Sequence, residues 1–378
     1  MNSNMLICWV TPDCFIDCDI DIISQLSYKG LNIKWILVFG LHNRFNKNDF
    51  LSLSERANVE IEVYHLSHRD RSFKNLFDYI KLLHKVSKLS ADINYINLSP
   101  SSPWSLPFFL GLDKNKTIYA AHQGKVHDGM NHKKLISLVR DAVYYHSRYV
   151  NMFSKSQAEL FKKRYTKVQV YQFLLALKDC GSATKYIPYN GKVRFLSFGT
   201  INYAKHIDLL IEAACQLYEE GFKNFTVKIA GYCGNWSSYE KLVRYPEIFI
   251  FDIGLIPNKE IPNLFCNSDY FVQPYRVLSQ SGPFKIAMNY SIPLITSNLR
   301  GFTDEMVENV TGFIFETENV NSMKEVLKKA INIRLQSDKY EKLKTNMKEY
   351  VSRTYSTETI SNLYINMFNN VITHDNNV

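Results

Sequence analysis

Three polar loops in the second half of the chain carry residues suited to holding phosphate, and each follows a strand-like apolar run. The first loop spans residues 199–205 and precedes a helix-like run that begins at Ile207. Gly199 lets the backbone approach a ligand closely, and Lys205 stands just before a helix N-terminus, where free amides and the helix dipole attract anions. This pattern predicts a metal-independent diphosphate contact, although a lysine that opens a surface helix is common without any ligand.

The second and third loops strengthen this prediction. Residues 274–282 separate a strand-like run from a helix in which Pro283 suits the first turn, so Ser281 and Gly282 would offer hydroxyl and amide donors at its positive end. Residues 297–305 follow the next strand-like run. Because the carboxyl ends of parallel strands lie at one edge of a sheet, the three loops together predict a pocket for phosphate and sugar.

The elements that position these loops are predicted from an alternation of strand-like and helix-like runs along the chain. The 378 residues exceed one ordinary core, and 46% hydrophobic with 21% charged residues excludes a disordered chain. Chain breakers in residues 179–191 predict a linker. We therefore expect an α/β protein of two doubly wound, Rossmann-like domains facing a cleft. They span residues 1–185 and 186–378, with the last helix packing back on the first domain.

The positive charge of the chain is concentrated in one segment. The formal net charge is +9, and residues 101–185 contain 14 basic and 5 acidic residues, whereas the remainder is balanced. This asymmetry predicts an anionic partner, and the basic residues 155–167 suit an anionic lipid surface, with a solvated helix face as the alternative. No motif typical of nucleic-acid binding is present, so no nucleic-acid partner is expected.

Targeting and metal-binding signals are also missing from the sequence. No apolar run reaches the roughly 18 residues that a membrane span needs, and the first apolar run is too short for a signal peptide, which predicts a cytoplasmic protein. The seven cysteines are scattered and odd in number. We expect them to be free thiols, and we expect no bound metal.

Several segments carry a resemblance to a known family. They are residues 198–200, 204–211, 230–232, 269–275, 279–282, 292–297 and 301–315, which read Phe-Gly-Thr, Ala-Lys-His-Ile-Asp-Leu-Leu-Ile, Ala-Gly-Tyr, Asp-Tyr-Phe-Val-Gln-Pro-Tyr, Ser-Gln-Ser-Gly, Ile-Pro-Leu-Ile-Thr-Ser and Gly-Phe-Thr-Asp-Glu-Met-Val-Glu-Asn-Val-Thr-Gly-Phe-Ile-Phe. In this order, over about residues 193–335, they resemble the donor domain of GT-B glycosyltransferases, most closely family 4. The first domain is similar in architecture and at residues 119–122.

The resemblance implies transfer of a sugar from a nucleotide sugar to an acceptor hydroxyl, with retention, and it assigns roles by position. It places Lys205 on the donor diphosphate and His122 near the reacting centre as catalytic residues. The donor-binding residues that it implies are Gly199, Thr200, Gly231, Tyr232, Ile253, Gly254, Tyr275, Gln280, Ser281, Gly282 and Glu305. Asp13, in the loop after the first strand, and His127 are weaker candidates for binding the acceptor.

The sequence also departs from the family pattern. Thr200 stands where the family commonly has an arginine, and Leu278 and Ile286 stand where it has two glutamates. Gln280, Lys285 or Glu305 is expected to take over their contacts. The departures leave two alternatives open, namely a non-catalytic saccharide-binding or scaffold protein and a GT-B nucleotide-sugar epimerase.

The expected protein is therefore a metal-independent hexosyltransferase that needs no cofactor besides its nucleotide-sugar substrate. By analogy with the family, the acceptor is a lipid-linked saccharide in the synthesis of a bacterial surface polysaccharide, such as lipopolysaccharide or capsule. The protein is expected to sit peripherally on the inner face of the plasma membrane through residues 101–185.

Overall fold

The chain forms two compact units in the computed structural model, which describes residues 5–41, 43, 45, 50, 53, 55–56, 58–69, 71–124, 132–278 and 280–375. The first unit extends to Ala176 and takes up the chain again from Ser356. The second unit is Leu177–Tyr355.

The division between the units lies before Leu177, earlier than the boundary after residue 185 that the sequence suggests. Side chains of the second unit bind the linker, which explains the difference. The Asn263 side-chain oxygen accepts the backbone N–H groups of Thr184 and Lys185 at 2.8 and 3.0 Å, and Asn267 accepts that of Ile187 at 2.6 Å. Hydrogen bonds from polar side chains thus attach a segment that looks like free linker in the sequence.

The first unit contains a seven-stranded sheet in the order β3-β2-β1-β4-β5-β6-β7. Its strands are β1 (Leu6–Pro12), β2 (Asn32–Phe39), β3 (Val59–His65), β4 (Ile93–Ile96), β5 (Thr117–Ala121), β6 (Tyr149–Met152) and β7 (Gln169–Gln172). Its helices are α1 (Ile16–Tyr28), α2 (Asn75–Lys88), α3 (Leu106–Gly111), α4 (Lys133–His146), α5 (Lys155–Arg164) and the last helix of the chain, α13 (Thr357–Asp375).

Helices cover both faces of this sheet, because alternate residues of a strand point to opposite faces. Cys8 and Val10 of β1 join a buried cluster with side chains of α2, α3, α4 and α5. Trp9, between them, instead packs against Tyr364 and Phe368 of α13, with ring centroids 5.2 and 6.3 Å away. The last helix is therefore part of the first core.

The second unit contains a six-stranded sheet in the order β10-β9-β8-β11-β12-β13. Its strands are β8 (Val193–Phe198), β9 (Phe225–Gly231), β10 (Phe249–Ile253), β11 (Tyr270–Gln273), β12 (Leu294–Ser297) and β13 (Gly312–Phe315). Its helices are α6 (Ile207–Glu219), α7 (Ser237–Glu240), α8 (Ile261–Cys266), α9 (Gly282–Asn289), α10 (Arg300–Thr303), α11 (Val320–Arg334) and α12 (Ser337–Tyr355).

Both sheets confirm the predicted α/β class with doubly wound topology. Strand pairings in the described part of the chain are parallel. The strand order reverses at β1 in the first sheet and at β8 in the second. Ligands of such sheets bind at the carboxyl ends of the strands beside this reversal, which is where the loops after β8, β9 and β11 lie. No helix within the described ranges is long and apolar enough to cross a membrane.

Candidate functional site

The site in the second unit begins where the backbones at the ends of β8 and β9 touch. Gly199 and Gly231 have φ angles of +123° and +138°, which side chains of L-residues rarely allow. The Gly199 N–H donates to the carbonyl of Ala230 at 3.0 Å. A Cβ atom added at Gly231 would overlap the carbonyl oxygen of Gly199. Glycine is therefore required at position 231 for the Gly199 turn to form.

The N-terminus of α9 lies against the same turn. A Cβ added at Gly199 would stand 3.3 Å from Cγ of Pro283. Ser281 caps the helix, and its Oγ accepts the N–H of Phe284 at 3.3 Å. It also accepts Nε2 of Gln273 at 2.6 Å. The Ser281 hydroxyl is thus used within the fold, and the amide of Gly282 is the better placed donor for an anion.

Lys205 closes the site from the side of the first loop. It ends a 3-10 turn, Tyr203–Lys205, whose Ala204 N–H is capped by the Asn202 side chain at 3.1 Å. The Lys205 ammonium lies 3.7 Å from the centroid of the buried Tyr275 ring. The hydroxyl of that ring accepts Nε2 of Gln273 at 2.8 Å. Gln273 also donates to Ser281, so Lys205 is connected to the N-cap of α9 through Tyr275 and Gln273.

These contacts bring several predicted residues to one small pocket. It is lined by Ser197, Phe198, Gly199, Thr200, Ile201, Lys205, Ile207, Ala230 and Tyr275. A cation–π contact holds the lysine over the ring while its charge stays available to an anion. The pocket therefore joins a positive charge and a glycine turn, and the N-terminus of α9 lies against that turn.

The segments predicted around the nucleoside lie next to the glycine turn. The Gly254 N–H donates to the Gly231 carbonyl at 3.1 Å, and Gly254 has φ +157°. Tyr232 is exposed and Ile253 is half-buried. These residues extend the site along the ends of β9 and β10.

An arginine that the sequence analysis did not single out joins two loops of the site. The Arg276 guanidinium pairs with Asp208 at 2.8 Å and with Glu318 at 3.3 Å, and it donates to the Tyr203 carbonyl at 3.0 Å. His206, in the left-handed region at φ +52°, precedes α6, and burial lowers its pKa. The partners of Arg276 are far apart in sequence, so no local pattern could have identified this contact.

The predicted replacements for the missing glutamates lie in different surroundings. Lys285 and Glu305 form a buried ion pair, and the Tyr355 hydroxyl donates to the same carboxylate. The Lys285 and Glu305 side chains are 2% and 6% exposed, so this carboxylate is engaged inside the unit rather than presented to a ligand. Ile286 is buried, while Gln280 is partly exposed beside Ser281. Gln280 is therefore the better placed of the three.

A larger cavity lies elsewhere on the second unit. Its volume is about 550 Å³, and its lining includes Lys185, Arg194, Thr226 and Lys228. On β8 and β9 the lining residues lie at the start and middle of the strands, whereas at β10 the cavity reaches Asp252 and Leu255. The larger cavity is therefore lined by other residues than the small pocket with Lys205 and the Gly199 turn.

In the first unit, His122 follows β5 and is held on two sides. Its Nε2 lies 2.8 Å from Oδ1 of Asn97, and its ring stacks on Phe15 with centroids 3.8 Å apart. Asp13 lies in the 3-10 turn Asp13–Phe15, and its carboxylate accepts the Phe45 N–H at 3.1 Å. His122 thus contacts the Phe15 ring, and Asp13 lies two residues before Phe15 in the same turn. His127 lies outside the described residues. Their predicted roles toward the acceptor remain predictions.

Among the residues that the structure describes, no group of three or more His, Cys, Asp and Glu side chains is arranged to hold a metal ion. The seven cysteines all lie among the described residues, and they are thiols rather than disulfides. Among the residues that line the small pocket, the positively charged side chain is Lys205.

Comparison with known proteins finds a family model that matches most of the second unit. Residues 184–350 match the family model of glycosyl transferases group 1. This match confirms the predicted glycosyltransferase domain. An uncharacterised 41.2 kDa protein in the cps region of Klebsiella pneumoniae is 22% identical over 177 residues, which cover 47% of this chain and 46% of that protein. The chain thus spans about half the length of this curated relative.

Solved structures extend the likeness to both units. A glycosyltransferase from Rickettsia africae ESF-5 has a TM-score of 0.73 at 14% identity, covering 98% of this chain and 99% of that chain. WaaG, a glycosyltransferase involved in lipopolysaccharide biosynthesis, has a TM-score of 0.66 at 15% identity, over 95% and 99%. Anabaena Alr3699/HepE in complex with UDP and glucose has a TM-score of 0.68 at 13% identity, over 97% and 100%. At such identities these structures show the fold, which is the predicted GT-B architecture.

Proposed function

We propose that this chain, whose residues 184–350 form a glycosyl transferases group 1 domain, moves a sugar from a nucleotide sugar to a hydroxyl of a lipid-linked saccharide with retention of configuration. The observation that carries the proposal is the meeting of the Gly199 turn, Lys205 and the N-terminus of α9 at one edge of the second sheet. A nucleoside diphosphate needs a cation, free amides and close backbone approach, and this edge supplies all three.

The chemistry follows from where charge develops. Departure of the leaving group builds negative charge on the diphosphate in the transition state, so groups that bind this charge more strongly than the ground state lower the barrier. Lys205 and the Gly282 amide are fixed before the reaction by Tyr275 and by the cap of α9. We therefore infer a metal-independent reaction in which this chain itself stabilises the leaving group.

The donor is proposed to be a nucleotide sugar with its base near β9 and β10. Support comes from the backbone contact of Gly254 with Gly231, which places the end of β10 beside the glycine turn. A Cβ added at Gly254 would meet nothing within 4 Å, so a flat ligand has room beside this backbone. A neighbour of the same fold, Anabaena Alr3699/HepE, has been solved with UDP and glucose. Tyr232 and Ile253 are proposed to contact the nucleoside, and Gln280 the sugar.

The acceptor is proposed to bind the first unit around His122 and Asp13. His122 has a fixed ring orientation, which suits a residue that orients a hydroxyl group. In this reaction the departing diphosphate can take the acceptor proton, so His122 is assigned a hydrogen bond to substrate rather than proton abstraction.

The first unit also carries an apolar outer face on its helices α2 to α5. It consists of the exposed side chains of Phe73, Phe77, Ile80, Trp104, Leu110, Leu135, Leu138, Tyr145 and Leu160. Exposed lysines lie on the same helices, namely Lys74, Lys81, Lys88, Lys134, Lys162 and Lys163. Apolar side chains among lysines match a membrane surface with anionic head groups.

This face extends and partly corrects the basic segment predicted to contact lipid. Arg164 is paired with Asp141, so its charge is partly neutralised within the unit. Phe108 and Phe109, which lie within residues 101–185, are buried and so do not belong to the apolar outer face. Helix α2 lies outside residues 101–185 but contributes Phe77, which is 62% exposed, to this face. We propose that the apolar outer face binds the inner leaflet, whose anionic lipids attract lysines, and so brings the enzyme to a lipid-linked acceptor.

The process proposed is synthesis of a bacterial surface polysaccharide. Two comparisons support it: the Klebsiella pneumoniae relative lies in a cps region, and WaaG is involved in lipopolysaccharide biosynthesis. The two relatives point to capsule and to lipopolysaccharide, respectively, as the polysaccharide.

One observation favours a second candidate function. Leu278 and Ile286 cannot accept hydrogen bonds, and Ile286 is 6% exposed, so neither can serve as the glutamate that the family pattern has there. A protein that binds the nucleotide sugar without transfer, or an epimerase, would tolerate this change.

Product analysis separates these functions. The full chain is incubated with radiolabelled UDP-, ADP- and GDP-sugars and with a polyprenyl-diphosphate-linked saccharide. Label in the lipid-linked product is expected. An isomerised sugar nucleotide would show an epimerase, and binding without turnover would show a non-catalytic protein.

A further inference from the structure

A buried carboxylate in the first unit collects three hydrogen bonds on one oxygen. Asp19, in the first turn of α1, is 2% exposed. Its Oδ2 accepts the indole N–H of Trp9 at 2.8 Å, the hydroxyl of Thr11 at 2.6 Å and the amide Nδ2 of Asn97 at 2.9 Å. The Thr11 hydroxyl oxygen accepts a hydrogen bond from Nε1 of Trp35 at 2.9 Å, so the hydroxyl proton is donated to Asp19.

These contacts determine the orientation of the Asn97 amide. If the amide were turned over, its oxygen would face Oδ2 of Asp19, and two acceptors would meet inside the core. Asn97 is 1% exposed, so water cannot relieve such a contact. The amide nitrogen therefore faces Asp19, and the oxygen Oδ1 faces His122.

The orientation of Asn97 in turn determines the tautomer of His122. Oδ1 can only accept, and it lies 2.8 Å from Nε2 of His122, so Nε2 must carry the proton. When the ring is neutral, Nδ1 is then the unprotonated nitrogen.

The arrangement does not depend on whether Asp19 is ionised. Burial raises the pKa of Asp19 to about 6, and its hydrogen bonds from Asn97, Thr11 and Trp9 oppose this rise. In either protonation state Oδ2 can accept, since a proton on Oδ1 leaves Oδ2 as a carbonyl oxygen. The Asn97 amide keeps its orientation in both.

Two aromatic rings fix the plane of the imidazole. Phe15 stacks on it with an interplanar angle of 10°, and the ring centroid of Phe153 is 4.9 Å away. Phe15 directly precedes α1, the helix that carries Asp19. One segment of the chain therefore sets both the tautomer and the tilt of His122.

We propose that Asp19 and Asn97 are positioning residues that hold the neutral His122 ring with Nε2 protonated and Nδ1 unprotonated. This inference rests on the proposed function, because it gives His122 a substrate to orient. Asp19 and Asn97 themselves touch no substrate.

The kinetic test compares two variants that each remove one hydrogen bond from the same Asp19 oxygen. Asn97→Ala releases His122, whereas Thr11→Val leaves the Asn97 amide in place. We expect kcat to fall about 10- to 100-fold in Asn97→Ala with donor KM unchanged, and to stay within about twofold in Thr11→Val. Asp19→Asn, which keeps an oxygen for the three donors, should retain kcat. Equal kcat values for Asn97→Ala and Thr11→Val, at matched thermal stability, would overturn the proposal.

The spectroscopic test needs no activity. In the nitrogen-15 NMR spectrum of the wild type, at a pH where the ring is neutral, His122 should show a protonated Nε2 and an unprotonated Nδ1. In Asn97→Ala the ring should show a mixture of tautomers. A protonated Nδ1 in the wild type would overturn the proposal. A correct tautomer in a protein without transfer activity would leave the positioning intact and instead contradict the proposed function.

Discussion

The candidate site of the second unit is formed mainly by backbone contacts, whereas that of the first unit is formed by side-chain hydrogen bonds. In the second unit the pocket is made by backbone, where Gly199 and Gly231 pack against each other at the ends of neighbouring strands. In the first unit, side chains from three separate segments meet, because Asp19 binds Asn97 and Asn97 binds His122. The comparison teaches that substitutions in the second site should distort the chain, whereas those in the first should mainly reorient a side chain.

The largest effect is expected at the backbone contact. Gly231→Ala would place a Cβ onto the Gly199 carbonyl at a φ of +138°, so the free energy of unfolding should fall by about 3 kcal/mol or more and donor binding should be lost. Urea unfolding measures the first and calorimetry the second. The matched control is Gly234→Ala, because a Cβ there meets nothing within 4 Å. Equal stability of the two variants would contradict the backbone account.

A smaller effect concerns pH and the buried Asp19. The unfolded chain releases the Asp19 proton near 3.8 and the folded chain near a pKa of about 6, so between these values the folded state holds more protons and rising pH favours unfolding. Asn does not titrate, so Asp19→Asn should gain up to about 3 kcal/mol relative to wild type between pH 4 and pH 7. Urea unfolding at several pH values gives this difference. A pH-independent difference would show that Asp19 does not titrate in this range.

The membrane prediction tests a surface rather than a pocket. Exchanging Phe77 and Leu138 for Asp should weaken sedimentation with anionic vesicles about tenfold or more, because both are over 60% exposed on the apolar outer face. Leu335→Asp, an exposed position on the second unit, is the control and should bind like wild type. High salt should weaken binding further, since it screens the lysines. Equal binding of the double variant and the control would place the membrane contact elsewhere.

The smallest effect is expected from chelation. Lys205 and the amides of α9 supply the charge in this account, so EDTA should leave the transfer rate unchanged. Complete loss of activity, restored by Mg²⁺ or Mn²⁺, would show that the reaction depends on a metal.

The comparison also explains what the sequence could predict. The alternation of strands and helices, the Gly199 turn and the capped start of α9 follow from local residue types, and the fold confirms the first of these. Strand and helix periodicity, glycine turns and helix caps all depend on residues close together in the sequence, so they can be predicted from it. The residues assigned to the donor remain predictions, now with a shared geometry.

Other features depended on contacts that no local pattern contains. Lys285 and Glu305 were both expected to replace contacts of the missing glutamates, but the fold buries them together with Tyr355. Helix α4 has apolar residues on two faces, and only packing decides that Val139 and Val143 are buried while Leu138 and Tyr145 are exposed. The network from Asp19 to His122 likewise depends on a hydrogen bond between Asp19 and Asn97, which are 78 positions apart.

The central claim is that the diphosphate binds at the ends of β8 and β11 rather than in the 550 Å³ cavity of the same unit. Titration calorimetry with UDP, ADP and GDP on three proteins tests it directly: wild type, Lys205→Ala and Lys185→Ala. Both variants remove one lysine, and Lys185 lines the larger cavity. We predict that the nucleotide bound by wild type binds at least about tenfold more weakly to Lys205→Ala, and with unchanged affinity to Lys185→Ala. Unchanged affinity in Lys205→Ala with weakened binding in Lys185→Ala would contradict the account.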